Sequence, residues 1–177
     1  MTRLYLLCGP SMSGKTHLAA RIESSLGASV VSLDEINRTR GLPFGLEGRP
    51  EAEWGATLEA AIVRVTRLMH ARRAIVVDDT LCYRWLRDRF RRLAADYGYS
   101  AILLYLATDG AVLAERRAAL LGAGDRPVLS ERSFAEHLSS FEDPADDEDP
   151  VRLPDPGAIR AWLAREAAHL GALDIAG

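Results

Sequence analysis

The octapeptide Gly-Pro-Ser-Met-Ser-Gly-Lys-Thr at residues 9–16 follows a short apolar run and sets a lysine and a threonine directly after its second glycine. The pattern G-x-x-x-x-G-K-[ST], here at Gly9, Gly14, Lys15 and Thr16, has the layout of a phosphate cradle. Gly9 permits a tight turn and Gly14 lets the backbone approach an anion. A helix starting near Lys15 aims its free amides and positive dipole end at the phosphate oxygens. Ser11, Met12, Ser13 and His17 complete the predicted nucleotide-binding set. Lys15 is placed to neutralise β- and γ-phosphates, and Thr16 to offer its hydroxyl to Mg²⁺. Lys15 is the sole lysine among 22 basic residues. A compact ammonium fits inside a phosphate-wrapping loop where the planar arginine fork does not.

Phosphoryl transfer to a hydroxyl also needs a carboxylate to take the proton. Asp34, at the end of the second apolar segment, is the candidate base, with Arg38 one helical turn on to hold it or the acceptor. The competing reading makes Asp34 a helix cap paired with Arg38. Asp79 and Thr80 end the third apolar segment; Asp79 is the candidate to hold Mg²⁺ through water, ahead of Asp78. Arg116, Arg117, Arg126 and Arg132 surround Gly122 and Gly124, the composition of a lid that brings positive charge to the moving phosphoryl group. Arg116 and Arg126 are the expected actors. Arg84, Arg87 and Arg91 share a helix face and read either as a phosphate-backbone contact or as a solvated face. The four histidines show no metal-ligand spacing, and no side-chain role is assigned to them.

These residues need a scaffold that brings loop ends together. Residues 3–8, 28–33, 74–79 and 101–107 read as buried strands. Between and after them, amphipathic helices are expected over 15–26, 51–72, the stretch carrying Leu86, Phe90 and Leu93, 109–121, 130–140 and 156–170. Residues 34–41 read as a polar turn and 42–50 as a Pro/Gly-rich loop. Continuous apolar strands alternating with helices predict an α/β fold of three layers: a parallel sheet of about five strands covered by helices on both faces. Ligands then sit at the carboxyl ends of the strands. The expected organisation is one domain over 1–177, with a mobile lid at about 117–130.

Composition narrows the class. A net charge of −3 excludes a globally basic nucleic-acid coat. Two distant cysteines suggest neither a disulfide framework nor a zinc site. No apolar run reaches the roughly 20 residues of a membrane span, so no membrane partner is expected and a cytoplasmic location is. With Lys15 the only lysine, an Asn-Lys-x-Asp guanine motif cannot occur elsewhere. The third strand ends Asp78-Asp79-Thr80 without the glutamate that polarises water in ATP-hydrolysing motors.

The segments "GPSMSGKT", "SLDEINRTRG", "VVDDTLCYRWLR", "ERRAALLGAGDRPVLSERSF" and "FEDPADDED" resemble the P-loop kinases grouped with polynucleotide kinase and the zeta toxins. The resemblance spans most of residues 3–150. It implies a P-loop NTPase fold, ATP and Mg²⁺ as cofactors, Asp34 as general base assisted by Arg38, Asp79 and Thr80 after the third strand, and Arg116 and Arg126 in the lid. The acceptor is expected to be a small hydroxyl-bearing molecule such as a nucleoside, sugar or antibiotic. Six acids in residues 142–149 disfavour a polynucleotide 5′-hydroxyl. A nucleotide-binding regulator or an ATPase without an acceptor is the alternative of another class.

Overall fold

The computed structural model describes residues 2–44, 50–124 and 127–175. The predicted loop at 42–50 falls partly, and Arg126 wholly, outside them. The chain runs β1 (Arg3–Cys8), α1 (Lys15–Leu26), β2 (Ser29–Ser32), α2 (Leu33–Thr39), α3 (Glu51–His70), β3 (Ile75–Asp78), α4 (Arg84–Asp96), β4 (Ser100–Tyr105), α5 (Gly110–Ala123), α6 (Glu131–Ser140), β5 (Val151–Arg152) and α7 (Pro156–Ile175). The strands form one five-stranded sheet in the order β2-β3-β1-β4-β5, every pairing parallel. This is the three-layer α/β architecture that the alternating pattern predicts.

Alternation along the buried strands divides the core in two. Leu4, Leu6, Val31, Ile75, Val77 and Leu103 face α3 and α4, whose Leu58, Val65, Met69, Leu86 and Phe90 cover that side. Tyr5, Leu7, Val76 and Leu104 face the opposite layer, where Leu18 and Ile22 of α1 and Trp162 and Leu163 of α7 close over them. A smaller cluster of Leu113, Leu129 and Phe134 joins α5 to α6, with Met12 and Phe44 against it.

Three elements differ from the sequence expectation. The segment 34–41, read as a polar turn, is mostly helix α2. Its cap is Ser32, whose side chain accepts from Glu35 N at 3.4 Å. Asp34 is therefore inside the helix and does not cap it. The fifth strand is the two-residue β5, too short for any periodicity to reveal. The arginine face of α4, read as a phosphate-backbone contact or a solvated face, pairs instead with the acidic run 142–149. Arg87 of α4 forms a bidentate pair with Glu148 at 2.6 and 2.8 Å, with side-chain exposures of 1% and 0%. Arg84 reaches Asp147 at 2.7 Å, Arg152 reaches Asp146 at 3.0 Å, and Tyr105 donates to Asp143 at 2.6 Å. Arg91 bonds the carbonyl of Glu148. The arginine face of α4 thus serves this acidic segment.

The order of strands reverses around β1: the chain leaves it toward β2 and β3, then crosses to β4 on its other side. Such a reversal opens a crevice at the carboxyl ends of the strands. In register, Ser32 pairs with Asp78 and Cys8 with Tyr105, so the segments after β1, β2 and β3 leave the sheet at the same edge.

Candidate active site

A cleft of about 1560 Å³ occupies that edge, and Lys15, Thr16, Asp34, Asp78, Asp79 and His137 are among the residues that line it. Its floor is the loop between β1 and α1. Gly9 has φ 154°, and a Cβ there would lie 2.8 Å from Ser13 Oγ and 3.0 Å from the Leu106 carbonyl oxygen, so only glycine fits. Gly14 precedes α1 with φ 101°, and Met12 also adopts positive φ, at 71°. The loop is fastened to the segment after β3 by Gly9 N donating to the Thr80 carbonyl at 3.1 Å.

Lys15 is buried and curls back under the loop, its Nζ 2.7 Å from the Pro10 carbonyl and 3.4 Å from Ser13 Oγ. Burial lowers its affinity for a proton, and the charges of Asp78 and Asp79 oppose that effect. Three carboxylates thus face one lysine. Asp78 is buried and raised chiefly by desolvation, while a hydrogen bond from Thr16 and the charge of Lys15 pull it down. Asp79 is raised by burial too, eased first by the Leu81 backbone amide, which donates to Oδ2 at 3.0 Å. Asp34 opens to solvent on its outer edge, yet the cleft walls withdraw water from its carboxyl. This desolvation, then repulsion from Asp79 and Asp78, pushes it up to about 6 against the pull of Lys15.

The arrangement fits Mg²⁺ and a polyphosphate. Crowded carboxylates that raise one another call for a cation, and the Thr16 hydroxyl already meets Asp78. Among the described residues no group of three or more His, Cys, Asp or Glu could cage a metal. A magnesium ion would therefore share its coordination with phosphate oxygens and water, its usual habit. Thr16, Asp78 and Asp79 could supply the protein's share of such a shell.

Several sequence expectations change in detail. Asp78, ranked below Asp79, is the acid hydrogen-bonded to Thr16, because it is the last residue of β3 and Asp79 turns into the following loop. Arg38 does not hold Asp34. It chelates Glu35 at 2.8 and 2.6 Å on the exposed side of α2, a shorter reach around the helix than Asp34. Of the arginines expected in a lid, Arg116 alone among the described ones meets the phosphate loop, donating to the carbonyls of Met12 and Ser13 at 3.0 and 3.2 Å. Arg117 is spent on Glu131 and Leu129 and lies over Phe134, and Arg132 pairs with Glu136.

His137 of α6 escaped the sequence reading. Its Nε2 accepts from Ser11 N at 3.1 Å, so a ring from α6 sits on the phosphate loop itself. Burial, then the charge of Lys15, drives it down to about 4. No local pattern marks it, since loop and histidine are 126 residues apart. Trp54, Tyr83 and Trp85 also line the cleft. Trp54 packs partly against the core, and nothing in the sequence marks any of the three as a cleft residue.

Residues 4–144 match the AAA domain family, about four fifths of the chain. The chain belongs to the AAA domain family. Solved structures share the fold of this AAA domain at low identity. A gluconokinase from Sinorhizobium meliloti 1021 is 22% identical with a TM-score of 0.64, the alignment covering 96% of this chain and 95% of that one. An APS kinase from Mycobacterium tuberculosis, solved with AMPPNP and APS, is 20% identical with a TM-score of 0.65, covering 97% and 96%. One curated relative, tRNA dimethylallyltransferase 1 from Pelobacter propionicus, is 34% identical over 56 residues, which are 32% of this chain. The chain spans about a fifth of that relative, 18% of its length. No helix among the described residues is long and apolar enough to cross a membrane.

Proposed function

We propose that this AAA domain is an ATP-dependent kinase that transfers the γ-phosphate to a hydroxyl of a small molecule. The observation that carries the proposal is the position of Asp34: a carboxylate on the same cleft as the phosphate loop, with a proton affinity raised to about 6. A base of that strength is ionised at neutral pH and still accepts a proton readily. ATPases that activate only water have no need of a carboxylate on the far wall. The gluconokinase and the APS kinase that share the fold are named for phosphorylating acceptors, which supports the same reading.

In this mechanism the amides of residues 14–17 at the start of α1 and Lys15 bind the β- and γ-phosphates, with Arg116 bonded to the Met12 and Ser13 carbonyls of the loop. Thr16, Asp78 and Asp79 would hold Mg²⁺, which would offset phosphate charge. The acceptor oxygen attacks the γ-phosphorus, the bond to the β–γ bridging oxygen breaks, ADP leaves, and the acceptor proton passes to Asp34. Arg126 and the segment at about 117–130 are assigned to a lid, within a single kinase domain over 1–177. The acidic run gives no reason to reject a polynucleotide, since α4 neutralises much of it. That pairing also occupies Arg84 and Arg87, which a polynucleotide would need.

Incubation with γ-labelled ATP, Mg²⁺ and a panel of nucleosides, sugars, aryl alcohols and 5′-hydroxyl oligonucleotides tests the proposal. Label transfer to a small alcohol is the expected result. Label released only as inorganic phosphate, at one rate whatever the acceptor, would identify an ATPase.

A further inference from the structure

Part of the cleft lining is aromatic. Trp54 of α3 and Trp85 of α4 meet edge to face, centroids 5.5 Å apart and planes at 77°. Tyr83, at the entry of α4, lies almost parallel to Trp85 at 6.4 Å and 11°. All three line the cleft with Asp34. Packing within the fold does not require Trp85 there: α4 buries Leu86, Phe90 and Ala94, and Trp85 keeps 48% of its surface exposed.

The wall is braced relative to the base. Asn37 lies one turn beyond Asp34 on α2, and Thr57 one turn beyond Trp54 on α3. Thr57 donates to Asn37 Oδ1 at 2.5 Å, in the interior. Arg40 of the loop after α2 adds a second tie, to Glu53 at 2.8 Å and to Thr57 Oγ1 at 2.5 Å. The indole of Trp54 and the carboxylate of Asp34 are thus carried by two helices fixed to each other at the same level, a preorganised pair.

Charge limits what such a wall can hold. Asp34, Glu35 and Glu51 line the cleft, with Arg38 and Arg64 also on its wall. Arg38 is committed to Glu35, and Arg84 to Asp147. Aromatic faces bind flat rings by stacking or edge contact and need no ionic partner. Carboxylates outnumber cations along the cleft, so an acidic acceptor such as a sugar acid is less favoured here than a neutral ring.

We propose that Trp54, Tyr83 and Trp85 form a subsite for the ring of a small, uncharged aromatic or heteroaromatic alcohol, holding its hydroxyl toward Asp34. The ring subsite rests on the kinase reading only for what happens to that hydroxyl. The ligand chemistry is a flat ring bearing a short hydroxylated arm, and a nucleoside and an aryl alcohol both supply it.

The test uses the full chain with Mg²⁺ and ADP. Adenosine, 1-phenyl-1,3-propanediol, gluconate and a 5′-hydroxyl trinucleotide are titrated by calorimetry and by indole fluorescence. Trp162, packed on Tyr5 across the sheet, serves as an invariant background. At least one of the two aromatic alcohols should bind about tenfold or more tighter than gluconate, which is about 1.4 kcal/mol. Trp85→Ala should abolish that preference while the affinity for MgADP stays within about twofold, and Trp85→Phe should restore it. Equal binding of aromatic alcohols and gluconate, or an unchanged preference in Trp85→Ala, overturns the subsite. A trinucleotide that binds about tenfold tighter than adenosine overturns it in favour of a nucleic-acid end. The kinase reading fails separately: ring alcohols that bind with the stated preference but never accept label support the subsite and refute the kinase.

Discussion

The Nε2 atom of His137 accepts a hydrogen bond of 3.1 Å from the backbone N–H of Ser11, in the middle of the phosphate loop. The ring must be neutral at that nitrogen. Because burial and Lys15 hold its proton affinity down to about 4, the unfolded chain takes up a proton that the folded one refuses between roughly pH 6.5 and 4. Stability therefore rises with pH across that window and is lost as pH falls through it. His137→Gln keeps an acceptor for Ser11 and removes the titration. Denaturant unfolding at pH 7.5 and pH 5 should show wild type losing up to about 2 kcal/mol more than His137→Gln. Equal losses would mean that His137 does not sense pH in the fold.

Lys15 supplies the cation of the phosphate loop. Lys15→Ala should weaken MgATP binding by about 10- to 100-fold, the worth of a charge-assisted hydrogen bond. Lys15→Arg should fail as well, since a fork cannot enter a space closed by Pro10 and Ser13. Calorimetric titration with a non-hydrolysable analogue checks both, and near-normal affinity in either variant contradicts the assignment.

Asp34→Asn isolates the base from the binding site. The variant should keep ATP affinity and lose transfer by about 10²- to 10⁴-fold. In wild type, kcat/KM for the acceptor should fall about tenfold per pH unit below about 6, because the protonated carboxyl cannot accept a proton. A profile flat from pH 5 to 8 would move the base elsewhere, with Asp79 next to be tested.

Removing one side of the buried Arg87–Glu148 pair strands the other. Arg87→Ala should cost about 3–5 kcal/mol in denaturant unfolding, and the double change Arg87→Met with Glu148→Leu should recover much of it. A single variant within about 1 kcal/mol of wild type would show that the cavity admits water.

Legibility in the sequence followed the range of the interactions. Strand, loop and α1 around Gly9–Thr16 are local, and their apolar periodicity and glycine spacing carry them in full. Asp34 and Asp79 were legible because a parallel sheet places its strand ends along one edge. What depended on distant partners was not. Ser32 displaces Asp34 as the cap of α2, and Glu35 captures Arg38, through competition between neighbours that spacing rules cannot rank. Asp78 rather than Asp79 meets Thr16 because β3 ends one residue earlier than its apolar run suggests. Arg87 looked like a surface charge until Glu148, 61 residues away, was brought beneath it. Trp85 and His137 gain meaning only from the cleft they share.

The anchoring of residues 142–149 to α4 also fixes where the α5–α6 hairpin returns to the sheet. One end of the hairpin leaves β4 beside Leu106, whose N–H is held by Cys8 at 2.8 Å; the other returns where Glu142 N meets the Cys82 carbonyl at 2.9 Å. Both ends are tied to the sheet layer, and between them Arg116 of α5 and His137 of α6 each bond the phosphate loop. The loop is thus bracketed by one strap whose far end is the acidic turn, so a change that loosens the Arg87–Glu148 pair reaches the loop through covalent chain rather than through the sheet.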